Sequence, residues 1–128
     1  MTMVERTELA PGLEISRIVT GLWQVADMER EGSALDLDDA SEEMGRYVGV
    51  GLTTFDMADH YGSSELIAGR YEERWPDTAQ LCTKWVPKPG PKSAEDVRRA
   101  VQRALDRMKR DSIDLLQFHA WSYADPSW

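Results

Sequence analysis

Short β-prone runs alternate with amphipathic helical segments along this chain, and that alternation restricts the fold more than any single motif does. Arg17-Ile18-Val19-Thr20 reads as a first core strand ended by Gly21. Ala40, Met44, Tyr47 and Val48 then recur at helical spacing, with Gly49 and Gly51 placed to end the helix. Leu52-Thr53-Thr54-Phe55 is a second strand, Ala79 to Thr83 a third, and Ile113 to Phe118 a fourth. Between them, Ser63 or Ser64 can cap a helix through Leu66, Ile67 and Tyr71 that stops before Trp75-Pro76. Ser93 caps a helix whose apolar stripe is Val97, Ala100, Val101, Ala104, Leu105 and Met108. Ahead of all this, residues 1–16 read as a hairpin turning at Ala10-Pro11-Gly12. Strand–loop–helix units in series predict an α/β chain with a parallel sheet.

Two architectures satisfy that pattern, an open doubly wound sheet and a closed (β/α)8 barrel. A GxGxxG after the first strand would favour the open form, but Gly21-Leu22-Trp23-Gln24 stands there. The polar residues decide for the barrel. Asp56, Lys84 and His119 each follow directly on a different predicted strand, and Tyr61 lies in the loop after Asp56. Barrel enzymes assemble their sites at the carboxyl ends of successive strands.

Composition narrows the class of function. The chain has 128 residues, 41% of them apolar, with 15 Lys and Arg against 23 Asp and Glu for a net charge of −8. Such a balance argues against a nucleic-acid binder that relies on bulk positive charge. No run approaches the roughly 18 apolar residues of a membrane span, and Met1 to Arg6 has no apolar signal region, so a cytoplasmic protein is expected. A single cysteine, Cys82, rules out an internal disulfide framework and a cysteine-based zinc site. Lying inside a predicted strand, it is expected to be buried and inert. The basic residues between Lys84 and Arg110 interleave with the apolar stripe and read as the solvated face of a helix.

The four polar groups make chemical sense together. A tyrosine is a weak acid, and a neighbouring ammonium makes a phenol readier to release its proton. A carboxylate beside the lysine keeps it charged and aimed, and a histidine can donate a hydrogen bond to a carbonyl oxygen. Such a group polarises a carbonyl and protonates its oxygen while hydride reaches the carbon. None of the four is a hydride donor, so a cofactor is required.

The segment Gly51 to Gly69, GLTTFDMADHYGSSELIAG, closely resembles the signature of the aldo-keto reductase family. Thr83-Lys84-Trp85, Asp114-Leu115-Leu116-Gln117-Phe118-His119 and Gly21-Leu22-Trp23 resemble further family motifs, in the family's order. The resemblance implies a (β/α)8 barrel with Asp56, Tyr61, Lys84 and His119 as its catalytic tetrad. It implies NADPH, in preference to NADH, as the hydride source for a small aldehyde or ketone, and no metal. By the same resemblance Tyr61 protonates the oxygen, Lys84 assists it, Asp56 holds Lys84, and His119 orients the carbonyl. Gly21, Leu22, Trp23 and Asp56 would contact the cofactor, and Trp23, Trp85 and Trp121 would line the substrate pocket. His60 reads as a wall or surface residue, and Glu65 as an anchor for the loop or helix start.

A complete barrel of this type takes about 250 residues. The chain therefore reads as one domain part, residues 17–128 giving the first four βα units and ending in the loop after the fourth strand. A half barrel leaves a strand edge and apolar helix faces uncovered, so association with a missing C-terminal half or with itself is expected. The alternatives are a non-enzymatic protein of the same fold, like the channel β-subunits that resemble this family, and an inactive truncated fragment.

Overall fold

A computed structural model describes residues 3–26, 35–120 and 124. Strands β1 (Arg6–Ala10) and β2 (Leu13–Ser16) pair antiparallel across Gly12, whose φ of 81° suits the turn. Strands β3 (Val19–Gly21), β4 (Thr54–Asp56), β5 (Gln80–Trp85) and β6 (Leu115–Phe118) form a parallel sheet in sequence order. Helices α1 (Leu37–Gly49), α2 (Ser64–Arg74) and α3 (Ala94–Met108) connect them, with α2 packed between α1 and α3.

Alternation along the strands divides their side chains between two faces. Phe55 and Leu81 point to the helices and are buried among Met44, Ile67, Ala68, Tyr71, Ala104 and Met108. Thr54, Asp56, Cys82 and Lys84 belong to the other face. The hairpin seals the amino-terminal end of the sheet. The backbone N–H groups of Ser16 and Thr54 donate to each other's hydroxyl oxygens, at 2.9 and 3.1 Å. Arg6 donates to Thr53 Oγ1 at 2.8 Å and to Gln80 Oε1 at 3.3 Å. Polar side chains are thus spent at one end of the sheet, which leaves the carboxyl end for chemistry.

Several boundaries differ from the sequence reading for local reasons. The first core strand starts at Val19, because Ser16 Oγ donates to the Ile18 carbonyl and the Arg17 N–H donates to Glu5, tying residues 16–18 to the hairpin. The fourth starts at Leu115, because the Asp114 carboxylate accepts the Leu81 N–H at 2.8 Å in place of a ladder bond. The third runs on to Trp85, so Lys84 lies within β5. Neither Ser63 nor Ser64 caps α2 through its side chain; Ser64 Oγ donates instead to the Ala58 carbonyl. Ser93 does cap α3, in a capping box with Asp96. That helix ends at Lys109 in the left-handed conformation, before Asp111-Ser112. Only Ala104 and Met108 of its apolar stripe are buried, while Val97 stays 41% and the neighbouring Phe118 52% exposed. Among the described residues no helix is long and apolar enough to cross a membrane.

Candidate active site

The carboxyl end of the sheet gathers most of the expected residues. Gly21, on β3, sits in register with Asp56 on β4, which pairs in turn with Cys82 on β5. Lys84, two residues along β5, points to the same face as Asp56. Its ammonium donates to Asp56 Oδ1 at 2.7 Å, Asp56 Oδ2 at 2.6 Å and the Met57 carbonyl at 2.8 Å. An ammonium has three N–H bonds, and each one has an acceptor here. Its relation to Tyr61 is therefore through space, with Nζ 5.0 Å from the centroid of the ring. The Lys84 side chain is 12% exposed and Asp56 34%, so the pair lies at the solvent boundary.

Tyr61 is held in a tight loop. Its N–H donates to the Ala58 carbonyl, and its own carbonyl accepts from the Ser64 N–H at the start of α2. Trp23 meets the Tyr61 ring edge-on at 4.7 Å, and His60 packs on it at the same distance. His60 is thus part of the wall around the phenol. His119 follows β6, and its N–H donates to the Trp85 carbonyl at 2.9 Å, which places it beside the end of β5.

Trp85 departs from its expected place. Being adjacent to Lys84 on an extended strand, it projects to the opposite face. There it packs edge-on against Phe118 at 5.5 Å and lines a cleft with Leu66 of α2 and Ala100 of α3. Its side chain is not brought to Asp56, Tyr61 and Lys84. Leu22 also differs, since its side chain is 2% exposed in the core, its N–H donates to the Asp56 carbonyl and its carbonyl accepts from Ala26. That residue fixes the β3 loop and offers little to a ligand. Trp121 lies outside the described residues.

Glu65 is the anchor the sequence reading expected. It is fully buried, accepts from Thr83 Oγ1 at 2.7 Å and pairs with Arg107 Nε at 3.2 Å. Burial pushes its carboxyl above the usual range, against the opposing pull of Thr83 and Arg107.

Burial likewise pushes the Cys82 thiol up to about 11, with the Asp114 and Asp56 carboxylates adding to the effect. At neutral pH this leaves about 10²-fold less thiolate than the unfolded chain carries. Iodoacetamide at pH 8 is expected to leave Cys82 intact in the folded chain and to alkylate it in urea; rapid alkylation of the folded chain would contradict the buried placement. The folded thiol holds its proton more tightly than the unfolded one. Its contribution to stability is complete below the ordinary thiol pKa and is lost as pH rises towards 11.

A sheet built from βα units in series, with its polar cluster at the carboxyl ends of the strands, defines a barrel-type α/β protein. The chain belongs to the Aldo/keto reductase family, whose pattern matches residues 17–127. A 6-dehydroglucose reductase of Novosphingobium aromaticivorans is 30% identical, over 84% of this chain and 38% of that protein. An aldo-keto reductase of Pseudomonas aeruginosa superposes with a TM-score of 0.75 at 23% identity, over 92% of this chain and 48% of that one. One from Klebsiella pneumoniae, solved in complex with NADPH, gives 0.63 at 23% identity, over 83% and 36%. The chain thus spans less than half the length of these relatives, and its sheet corresponds to part of their barrel.

Proposed function

We propose that this chain supplies the proton-transfer part of an NADPH-dependent carbonyl reductase that converts an aldehyde or ketone to an alcohol. The observation that carries the reading is the Lys84 ammonium, clasped by both Asp56 oxygens and lying against the Tyr61 ring. The residues also fit a dinucleotide at this end of the sheet. A side chain added at Gly21, which is in register with Asp56, would meet nothing within 4 Å, so the strand end is open there. Gly21, Trp23 and Asp56 would hold the nicotinamide end. The Klebsiella relative's complex with NADPH supports that cofactor. In this reading residues 17–128 form the first four βα units of one barrel domain.

Hydride for the carbonyl carbon is what the reduced dinucleotide supplies when bound. As the C=O π electrons move onto oxygen, Tyr61 gives that oxygen its phenolic proton. The nearby Lys84 charge stabilises the negative charge left on the phenol oxygen. Asp56 keeps the ammonium charged and fixed, so little reorganisation is needed at the moment of transfer. His119 donates a hydrogen bond to the carbonyl oxygen and orients it. Trp23 shields one side of the phenol.

The test is to titrate the chain into NADPH by nicotinamide fluorescence and then add a generic aldehyde. Saturable binding followed by NADPH oxidation that is lost in Tyr61→Phe is expected; oxidation that survives in Tyr61→Phe overturns the assignment. The share of the relatives covered favours a second reading of the chain by itself, as a fragment that holds the tetrad and turns over nothing alone. Absence of NADPH binding by the parent chain would decide for that second reading.

A further inference from the structure

We infer that Asp59 is a positioning residue for Tyr61, through a two-point grip that α3 exerts on the loop after β4. Asp59 stands two residues before Tyr61, and its N–H donates to the Lys84 carbonyl at 2.9 Å, extending the β4–β5 pairing past Asp56. Both oxygens of its carboxylate lie 3.3 Å from the Val86 N–H, at the start of the loop that leads to α3. The same carboxylate accepts from Arg103 of α3 at 3.2 Å and faces His60 Nδ1 at 3.4 Å, in a side chain only 10% exposed. One helical turn further along α3, Arg107 donates to the Gly62 carbonyl at 2.8 Å. Arg103 and Arg107 therefore seize the loop on either side of Tyr61, at residues 59 and 62.

This geometry gives α3 a hold on a phenol that it does not itself touch. The Tyr61 ring is packed by Trp23 and His60, and His60 is in turn faced by Asp59. Releasing Asp59 frees one anchor of the loop and lets the ring swing away from Trp23 and from the Lys84 charge. Arg107 is already committed to Glu65 and Gly62, so it cannot take over the contact at residue 59. Misplacing a reacting group by about 1 Å is enough to cost on the order of 10²-fold in rate.

The inference rests on the reading of Tyr61 as proton donor only for its effect on turnover; its geometric consequence stands independently. The experiment compares the 128-residue chain with its Asp59→Ala, Asp59→Asn and Arg103→Gln variants. Proton–proton contacts between the Trp23 and Tyr61 rings are followed by nuclear magnetic resonance, with the Tyr71–Trp75 contact as an internal control, alongside melting curves. Asp59→Ala is expected to lose the Trp23–Tyr61 contact while the control contact and the cooperative melt persist. Asp59→Asn is expected to recover part of it, because the amide oxygen still accepts from Val86. Where the parent chain reduces a carbonyl, kcat should fall about 10²-fold with KM unchanged. An intact Trp23–Tyr61 contact in Asp59→Ala overturns the inference. Should the alanine variant fail to fold, a Trp23–Tyr61 contact undiminished from the parent in both Asp59→Asn and Arg103→Gln overturns it as well. A parent chain that shows the contact but oxidises no NADPH counts against the proposed function, while the contacts in the variants still decide the role of Asp59.

Discussion

Gly69→Ala is expected to destabilise the chain by about 3 kcal/mol, the upper range for overpacking, and to lower its melting temperature by about 10 °C. The cause is a close approach of two backbones. A Cβ at residue 69 would lie 2.0 Å from the Arg107 carbonyl oxygen and 3.1 Å from its carbonyl carbon. The obstacle is main chain at the end of α3, just before the left-handed turn at Lys109, so no side chain can rotate aside. Moving that segment would disturb the Arg107–Glu65 pair and the contacts of Arg110 with Glu72 and Asp114. Gly45 is the control. A Cβ there would meet the Trp75 ring at 3.5 Å and the Tyr71 ring at 3.9 Å, both ordinary contacts. Gly45→Ala, within α1, should therefore be neutral or stabilising by up to about 1 kcal/mol. Equal melting temperatures for the two variants would contradict the packing of α2 on α3.

On the proposed function, Lys84→Met is expected to lower the rate of carbonyl reduction by about 10²- to 10⁴-fold, the range that positioned proton transfer contributes. The substitution keeps an unbranched chain one atom shorter and removes the charge that lies against the Tyr61 ring. It also leaves Asp56 without its partner. That should cost less than the roughly 3–5 kcal/mol of a fully buried pair, since a third of Asp56 is open to water. Lys84→Arg is expected to fail as well. Three acceptors converge on one nitrogen here, and a planar guanidinium cannot direct its donors to them in that arrangement. NADPH oxidation monitored beside a melting curve separates lost chemistry from lost fold, and unchanged turnover in Lys84→Met would remove lysine from the mechanism.

The parallel order of the strands was legible because each strand carries a short β-prone run and each helix a stripe with its own cap, Ser93 being the clearest. The neighbourhood of Asp56 and Tyr61 was legible from the end of the second strand, whereas Lys84 lies inside β5 rather than after it. Boundaries set by side chains standing in for ladder bonds were not. Nothing local in the sequence says that the Asp114 carboxylate takes the Leu81 N–H and delays β6. The outward face of Trp85 did have a signal, since a residue next to an inward-pointing lysine must face the other way in an extended strand. The contact between Asp59 and Arg103 had none, because the two residues are separated by α2, β5, the loops around them and most of α3. Gly69 was visible as a letter of the motif; the carbonyl pressed against it was not.

Sequential strand order also bears on how the chain is made. Each strand of the parallel sheet pairs with its immediate predecessor, so every new βα unit finds its docking surface already formed when it leaves the ribosome. Each pairing closes a connection that carries a helix, so the sheet grows from one edge by whole crossovers. The hairpin is synthesised before the parallel sheet, so Arg6 precedes its partners Thr53 and Gln80. Assembly of this polar cluster therefore tracks elongation: Asp56 and Tyr61 come into place with the second unit, and Lys84 clasps Asp56 with the third.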